Sequence, residues 1–238
     1  MKCRADKMLA HKGLVQSRSQ VKNLIQYGKI LINGHPLKKV SEIIDENDVI
    51  EIDSYQYVSR GALKLEKALS SFPVVVEDKI FADIGASTGG FTEVLLSRGA
   101  KKVYAIDVGH DQLVEKLRQD PRVENMEGTN IKNVDHLPTK MDGAVIDLSF
   151  ISVTKIIQTV TKLFSEKGDL IILIKPQFEA GPDNIPKDGV IKSFSLQQEI
   201  VNKVNSYVSK TGWVHQQTIE SPIKGKSGNS EFLSWFKK

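Results

Sequence analysis

Apolar positions along this chain follow two different periods, and the change comes near residue 60. Before it, Leu9, Leu14, Val21, Leu24 and Ile25 recur at near-helical spacing and would face a small core. The pattern predicts two short helices, 6–12 and 17–28, with Ser17 as N-cap and Gly28 as stop of the second. The run Lys29-Ile30-Leu31-Ile32 then meets Asn33-Gly34, a strong signal for a two-residue hairpin turn. Val49-Ile50-Glu51-Ile52 supplies a further strand. Two helices and a small sheet in so short a stretch suit binding better than chemistry.

After residue 60 the pattern alternates between helical and strand periods. A helix is predicted from Gly61 to Phe72, and strands at Ile80–Ile84, Lys102–Ile106, Val123–Met126, Gly143–Asp147 and Leu170–Ile174. Helical stretches fall at 91–98, 111–119, 153–166 and 195–210, and 212–220 with 230–236 read as a closing antiparallel pair. Strands alternating with helices imply a mostly parallel sheet covered on both faces. The expected architecture is α/β: a doubly wound sheet preceded by a small α+β unit. The expected boundaries are 1–53 for the small unit, 54–60 for a connector and 61–238 for the larger unit.

Charge sharpens the division. The net charge of the 238 residues is only +4, but residues 1–40 hold nine Lys/Arg against the single acid Asp6. Residues 41–53 hold six acids and no Lys/Arg. A basic head on a folded unit is the electrostatic footprint of a nucleic-acid partner, and a solvated basic surface is the bland alternative. The lone cysteine, Cys3, permits no intrachain disulfide and suits a reducing, cytoplasmic setting. The longest apolar run, Leu170 to Ile174, is far short of a membrane span, and the start of the chain has no secretory pattern. No metal site is expected. The oligomeric state is open, with a monomer sufficient.

Candidate chemistry lies at strand ends. Asp83-Ile-Gly85-Ala-Ser-Thr-Gly89-Gly90-Phe91 follows the first large-unit strand, and Asp107 closes the second. Glycines there let the backbone turn and approach a ligand, and an acid after the second strand can accept hydrogen bonds from both hydroxyls of an adenosyl ribose. A dinucleotide wants the G-x-G-x-x-G spacing, which this loop lacks. S-adenosylmethionine carries no phosphate, and its ammonium suits Asp83, so this donor is favoured over NAD. Asp147 and Lys175 close the fourth and fifth strands, Glu231 opens the last, and Lys64 sits on the helix before the first. Charges beside apolar strand ends are costly unless partnered, so these four could pair with one another.

These residues carry a resemblance. The large unit resembles the FtsJ-like ribose methyltransferases, and the whole chain resembles the TlyA, or hemolysin-A-like, ribosomal RNA methyltransferases. The matching stretches are Val58-Ser-Arg-Gly-Ala-Leu-Lys64, Asp83 to Thr92, Asp107-Val-Gly109, Asp147-Leu-Ser-Phe-Ile-Ser152, Lys175-Pro-Gln-Phe-Glu179 and Gly228-Asn-Ser-Glu-Phe232. The small unit is similar to the RNA-binding domain first described in small-subunit ribosomal protein four, through Arg4-Ala-Asp6, Ser17-Arg18, Gly28 and Ile30-Leu-Ile-Asn33-Gly34. The resemblance implies a Rossmann-like methyltransferase with S-adenosylmethionine as cofactor, acting on a ribose 2′-hydroxyl, usually of cytidine, in ribosomal RNA or ribosomal subunits.

For this chain the resemblance implies a catalytic tetrad of Lys64, Asp147, Lys175 and Glu231. The donor would lie against Asp83, Gly85, Ala86, Ser87, Thr88, Gly89, Gly90, Phe91, Asp107, Val108, Thr129, Asn130 and Asp147. RNA phosphate would meet Arg4, Lys7, Arg18, Lys22, Lys29 and Arg60, and such binding weakens steeply with salt. Lys224 and Lys226 add charge to the loop before Glu231. Lys175 is expected at the 2′-hydroxyl, either taking its proton or offsetting charge on the oxygen. Tyr55 and Tyr57 are expected to pack rather than stack on a base. Two rivals remain: an RNA-binding assembly factor that holds the donor without turnover, and a membrane-active haemolysin, which the lack of a membrane span disfavours.

Overall fold

The computed structural model describes residues 2–15, 21–22, 24–25, 29–52, 57–181, 185–186 and 188–238. Ser17, Arg18, Gly28 and Tyr55 lie outside the described residues. Internal contacts divide the chain into two units, Met1–Gln56 and Tyr57–Lys238.

In the smaller unit, β1 (Lys2–Arg4) leads directly into α1 (Ala5–His11), followed by β2 (Ile30–Ile32), β3 (His35–Pro36), β4 (Ile43–Asp45) and β5 (Ile50–Ile52). β2 pairs antiparallel with both β3 and β5, and β1 with β4. The expected hairpin turn is present: Asn33 and Gly34 both adopt positive φ, 51° and 77°, as a type I′ turn requires. Strands β1 and β4 were not expected, because three residues with one or two apolar positions leave no readable alternation. The core gathers Ala5, Met8, Leu9, Val21, Leu24 and Ile30. Leu14 is a correction, since it is 43% exposed and Val15 is buried in its place. Helix α1 ends at His11 and Gly13 turns at φ 68°, which breaks the helical spacing on which Leu14 was placed.

The larger unit holds one seven-stranded sheet. Its strands are β6 (Ile80–Ile84), β7 (Lys102–Ile106), β8 (Val123–Met126), β9 (Met141–Ile146), β10 (Phe164–Ile174), β11 (Val214–Glu220) and β12 (Phe232–Lys237). Their order is β11-β12-β10-β9-β6-β7-β8, with β6 to β10 mutually parallel and the β11–β12 pair antiparallel, as expected. Both faces are covered. Along β10, Leu170, Ile172 and Ile174 enter one core and Ile171 and Leu173 the other. The first core is closed by α5 (Ile157–Lys162) and α7 (Phe194–Ser209), the second by α2 (Ala62–Ser71) and α3 (Gly90–Ser97). Each such buried side chain contributes roughly 1.5–3 kcal/mol. That is why this run reads as continuously apolar.

Two helices differ from expectation. The stretch 111–119 reduces to α4 (Glu115–Arg118), because the Gln112 and Leu113 N–H groups donate to the Glu127 carboxylate at 2.6 and 2.9 Å rather than continuing a helix. The stretch 153–166 splits into a 3-10 turn, Val153–Lys155, then α5, and from Phe164 it is strand. Phe164 pairs with Met141 of β9 and meets the Trp213 ring edge-on at 4.7 Å, so tertiary pairing overrides the local pattern. A four-residue helix α6 (Pro176–Glu179) follows β10 and was not expected. Residues 57–60, placed in the connector, belong to the larger unit: the Tyr57 hydroxyl donates to Glu66 at 2.6 Å and the Val58 N–H to Glu93 at 2.5 Å. Among the described residues no helix is long and apolar enough to cross a membrane.

The strand order reverses between β6 and β9. Open α/β sheets bind ligands in the crevice beyond the carboxyl ends of such a pair.

Candidate active site

Two groups of residues meet at those strand ends. The first is the glycine loop. Gly85 has φ 94°, and a Cβ there would stand 2.4 Å from the Asp147 carbonyl oxygen, so only glycine lets the loop lie against the tip of β9. Gly89 and Gly90 serve a different need. Added Cβ atoms would meet Leu117 at 2.2 Å and the Ser59 hydroxyl at 2.1 Å, so these two glycines admit close packing of α3.

Asp107, just past β7, ties the loops together. Its carboxylate accepts the Ser87 N–H at 2.8 Å and the Gly109 N–H at 2.7 Å. Each oxygen keeps a second lone pair for a ligand hydroxyl. The Gln112 side chain lies over Gly109 and meets the Ser87 hydroxyl at 3.1 Å. Thr129 N–H donates to the Asp107 carbonyl, and the Asn130 side chain accepts the Lys132 N–H at 3.1 Å. Val108 is exposed beside them.

Asp83, on β6, is fully buried. One carboxylate oxygen accepts both the N–H and the hydroxyl of Thr92, at 2.8 and 2.7 Å, and the other oxygen has no partner among the described residues. Burial pushes the carboxyl up to about 7, against the Thr92 hydrogen bonds that favour its charged form.

The second group is charged. Lys64 Nζ lies 2.7 Å from Glu231 and 3.8 Å from one Asp147 oxygen, and Lys175 Nζ lies 2.5 Å from the other. Asp147 therefore bridges the two lysines, and the four charges sum to zero. Lys64, Lys175 and Glu231 are all more than nine-tenths buried. Among the described residues, the paired oxygens of Asp147 and Glu231 have only the ammonium groups as partners. Lys175 Nζ also donates to the Ser149 hydroxyl at 2.9 Å. Beside it Phe150 holds φ 65°, rare for an aromatic residue, and its ring is 90% exposed with its centroid 5.0 Å from that of Phe178.

Over residues 57–238 the chain matches the family described as FtsJ-like methyltransferase. The chain belongs to this family. Residues 3–50 match the S4 domain. Hemolysin A of Brachyspira hyodysenteriae is 42% identical over 98% of this chain and 99% of its own length. A Mycobacterium tuberculosis protein named 16S/23S rRNA (cytidine-2′-O)-methyltransferase TlyA is 39% identical over 99% of this chain and 90% of its own. Among solved structures, a candidate hemolysin from Streptococcus thermophilus superposes with a TM-score of 0.78 at 40% identity, covering 100% of this chain and 88% of that one. The family and the methyltransferase class expected from the motifs are borne out.

In this FtsJ-like chain the four separated charges come together as one cluster, and Asp83, Gly85 and Asp107 meet around one loop. Sequence reasoning did not single out Ser149, Phe150 and Glu179, although all three lie inside the quoted motifs and contact one another's loops here. In the smaller unit, Arg4 gives two donors to the buried Asp6 at 3.0 and 3.1 Å, so that guanidinium fixes the start of α1. Lys7 and Lys22 are exposed, while Lys29 and Arg60 are half-buried. A cleft of about 470 Å³ between α7 and β11, lined by Asn202, Asn205, Ser206, Ser209 and His215, contains none of the expected site residues.

Proposed function

We propose that this chain methylates the 2′-hydroxyl of a cytidine ribose in ribosomal RNA, with S-adenosylmethionine as donor. The observation that carries the reading is the Lys64–Asp147–Lys175–Glu231 cluster at the sheet's switch point, beside the glycine loop. The full-length similarity to a protein named for this reaction supports it, as does the S4 domain match for an RNA partner. Work on ribosomal RNA or subunits would be done in the cytoplasm.

The residues present fit the donor. The partnerless buried oxygen of Asp83 suits a cationic ammonium, the spare lone pairs of Asp107 suit ribose hydroxyls, and Gly85 keeps the loop free of a Cβ. Gly85 to Phe91, Val108, Thr129 and Asn130 would complete the cradle. When bound, the donor supplies an electrophilic methyl on a positively charged sulfur.

The chain's own part is to hold the ribose oxygen and ease the loss of its proton. Lys175 is the group at this oxygen: its Nζ is fixed between Asp147 and Ser149, where it either takes the hydroxyl proton or offsets the negative charge developing on the oxygen. Lys64 and Glu231 hold Asp147 from behind. The exposed Phe150 ring on Phe178 offers a face on which a base can stack. Exposed Lys7 and Lys22 would meet phosphate.

The test is transfer of labelled methyl from S-adenosylmethionine to ribosomal subunits lacking the modification, with wild type and Lys175→Ala in parallel. Label at a ribose from wild type, reduced about 100-fold or more in the variant with donor affinity kept, is expected. Equal transfer by the variant overturns the role of Lys175. No transfer by either, with donor bound, favours an assembly factor.

A further inference from the structure

Two loops at the strand tips run side by side and are joined at successive points. Asp147 and Ser149 contact Lys175, and Phe150 contacts Phe178. The last junction is Glu179, at the end of α6. One of its oxygens accepts the Ser152 hydroxyl at 2.5 Å and the other accepts the Val153 N–H at 2.9 Å. Among the described residues Glu179 makes no ion pair, and burial raises its carboxyl above the ordinary range. A carboxyl is costly to keep in such a place, so its two acceptor bonds must matter. They secure Ser152 and Val153, two and three residues after Phe150, whose positive φ persists only if its surroundings over-determine it.

We propose that Glu179 is a positioning residue for methyl transfer, a clamp that holds Ser149 and the strained, exposed Phe150 against Lys175 and Phe178 so that the target nucleotide meets a preformed surface. This rests on the function proposed above. The clamp works by accepting hydrogen bonds, and charge is not needed. A glutamine can accept the Val153 N–H through its oxygen and donate to the Ser152 hydroxyl, which keeps its contact with Thr154 at 2.6 Å.

The test uses the full-length protein as wild type, Glu179→Ala and Glu179→Gln. Transfer kinetics and donor affinity are measured, with the rate of chymotrypsin cleavage after Phe150 read by mass. In Glu179→Ala, kcat/KM for RNA should fall by about tenfold or more, with donor affinity within about twofold. Cleavage after Phe150 should accelerate by about fivefold or more, because the loop opens locally. Glu179→Gln should match wild type in all three. The proposal fails if Glu179→Ala is cleaved and transfers like wild type. It also fails if donor affinity drops in step with transfer, which marks general damage, or if Glu179→Gln is as impaired as the alanine. If wild type transfers no methyl at all, the function reading falls, while the cleavage rates still decide whether the clamp exists.

Discussion

The proposed donor side and the proposed acceptor side of this site are held by different physics. On the donor side, carboxylates accept backbone N–H groups: Ser87 and Gly109 at Asp107, Thr92 at Asp83, Gln112 and Leu113 at Glu127. On the acceptor side the contacts run between side chains from distant segments, Lys64, Asp147, Lys175 and Glu231, mostly buried. The difference teaches where each side is vulnerable. A loop fixed through its backbone tolerates most substitutions except at the glycine its path requires. A buried charge cluster depends on every member, since removing one strands its partner.

The sharpest break is Lys64→Met. It leaves Glu231, 3% exposed, without its 2.7 Å partner and should cost about 3–5 kcal/mol in urea unfolding. Adding Glu231→Gln should restore more than half of that loss. A single variant that loses less than about 1 kcal/mol would show that the acceptor side is not interdependent.

On the donor side, Gly85→Ala meets both a positive φ and the Asp147 carbonyl, and about 2–4 kcal/mol is expected, with loss of donor binding by calorimetry. Gly212→Ala has a similar φ, 96°, but open space, and should cost about 1 kcal/mol with donor binding unchanged. Equal effects at the two sites would remove the case for a backbone-shaped cradle.

The smallest effect is a gain. Asp83 folds with its carboxyl raised to about 7 by burial, above the 3.8 of the free side chain. The folded state therefore binds the proton more tightly. Its contribution is most favourable below the unfolded value and declines as pH rises toward the folded one. Asp83→Asn can keep both Thr92 bonds and removes that decline, so it should gain at least about 1 kcal/mol near pH 8, shrinking toward zero near pH 4, while weakening donor binding. Parallel stability curves for the two proteins would show that Asp83 is not strained by burial.

The donor side was the more legible half. Gly85, Asp83 and Asp107 sit in consecutive strand–loop segments, and their places follow from the strands alone. The charged cluster was expected as four residues that could pair, but nothing local says that Asp147 would bridge two lysines. Ser149 and Glu179 carried no signal of their own, because serine and glutamate at a loop and a short helix are ordinary surface residues until a partner arrives. Gly89 and Gly90 were expected against the donor, and the close packing that also demands glycine there was not legible, since contacts with Leu117 and Ser59 cannot be seen from the loop. Leu14 and the stretch 163–166 were misplaced for a similar reason: a turn at Gly13 and pairing of Phe164 with Met141 outweighed the local period.

By itself, the sequence determined the two-part organisation, the parallel sheet with its antiparallel edge, the Asn33-Gly34 turn and the strand tips where chemistry collects. These follow from periodicity and backbone stereochemistry, which are local. Only the tertiary structure decided which charges pair, which glycines face a neighbour and which carboxylate binds Ser152 and Val153. Those depend on side chains far apart in the chain arriving within about 3 Å of each other, a distance set by packing of the whole sheet.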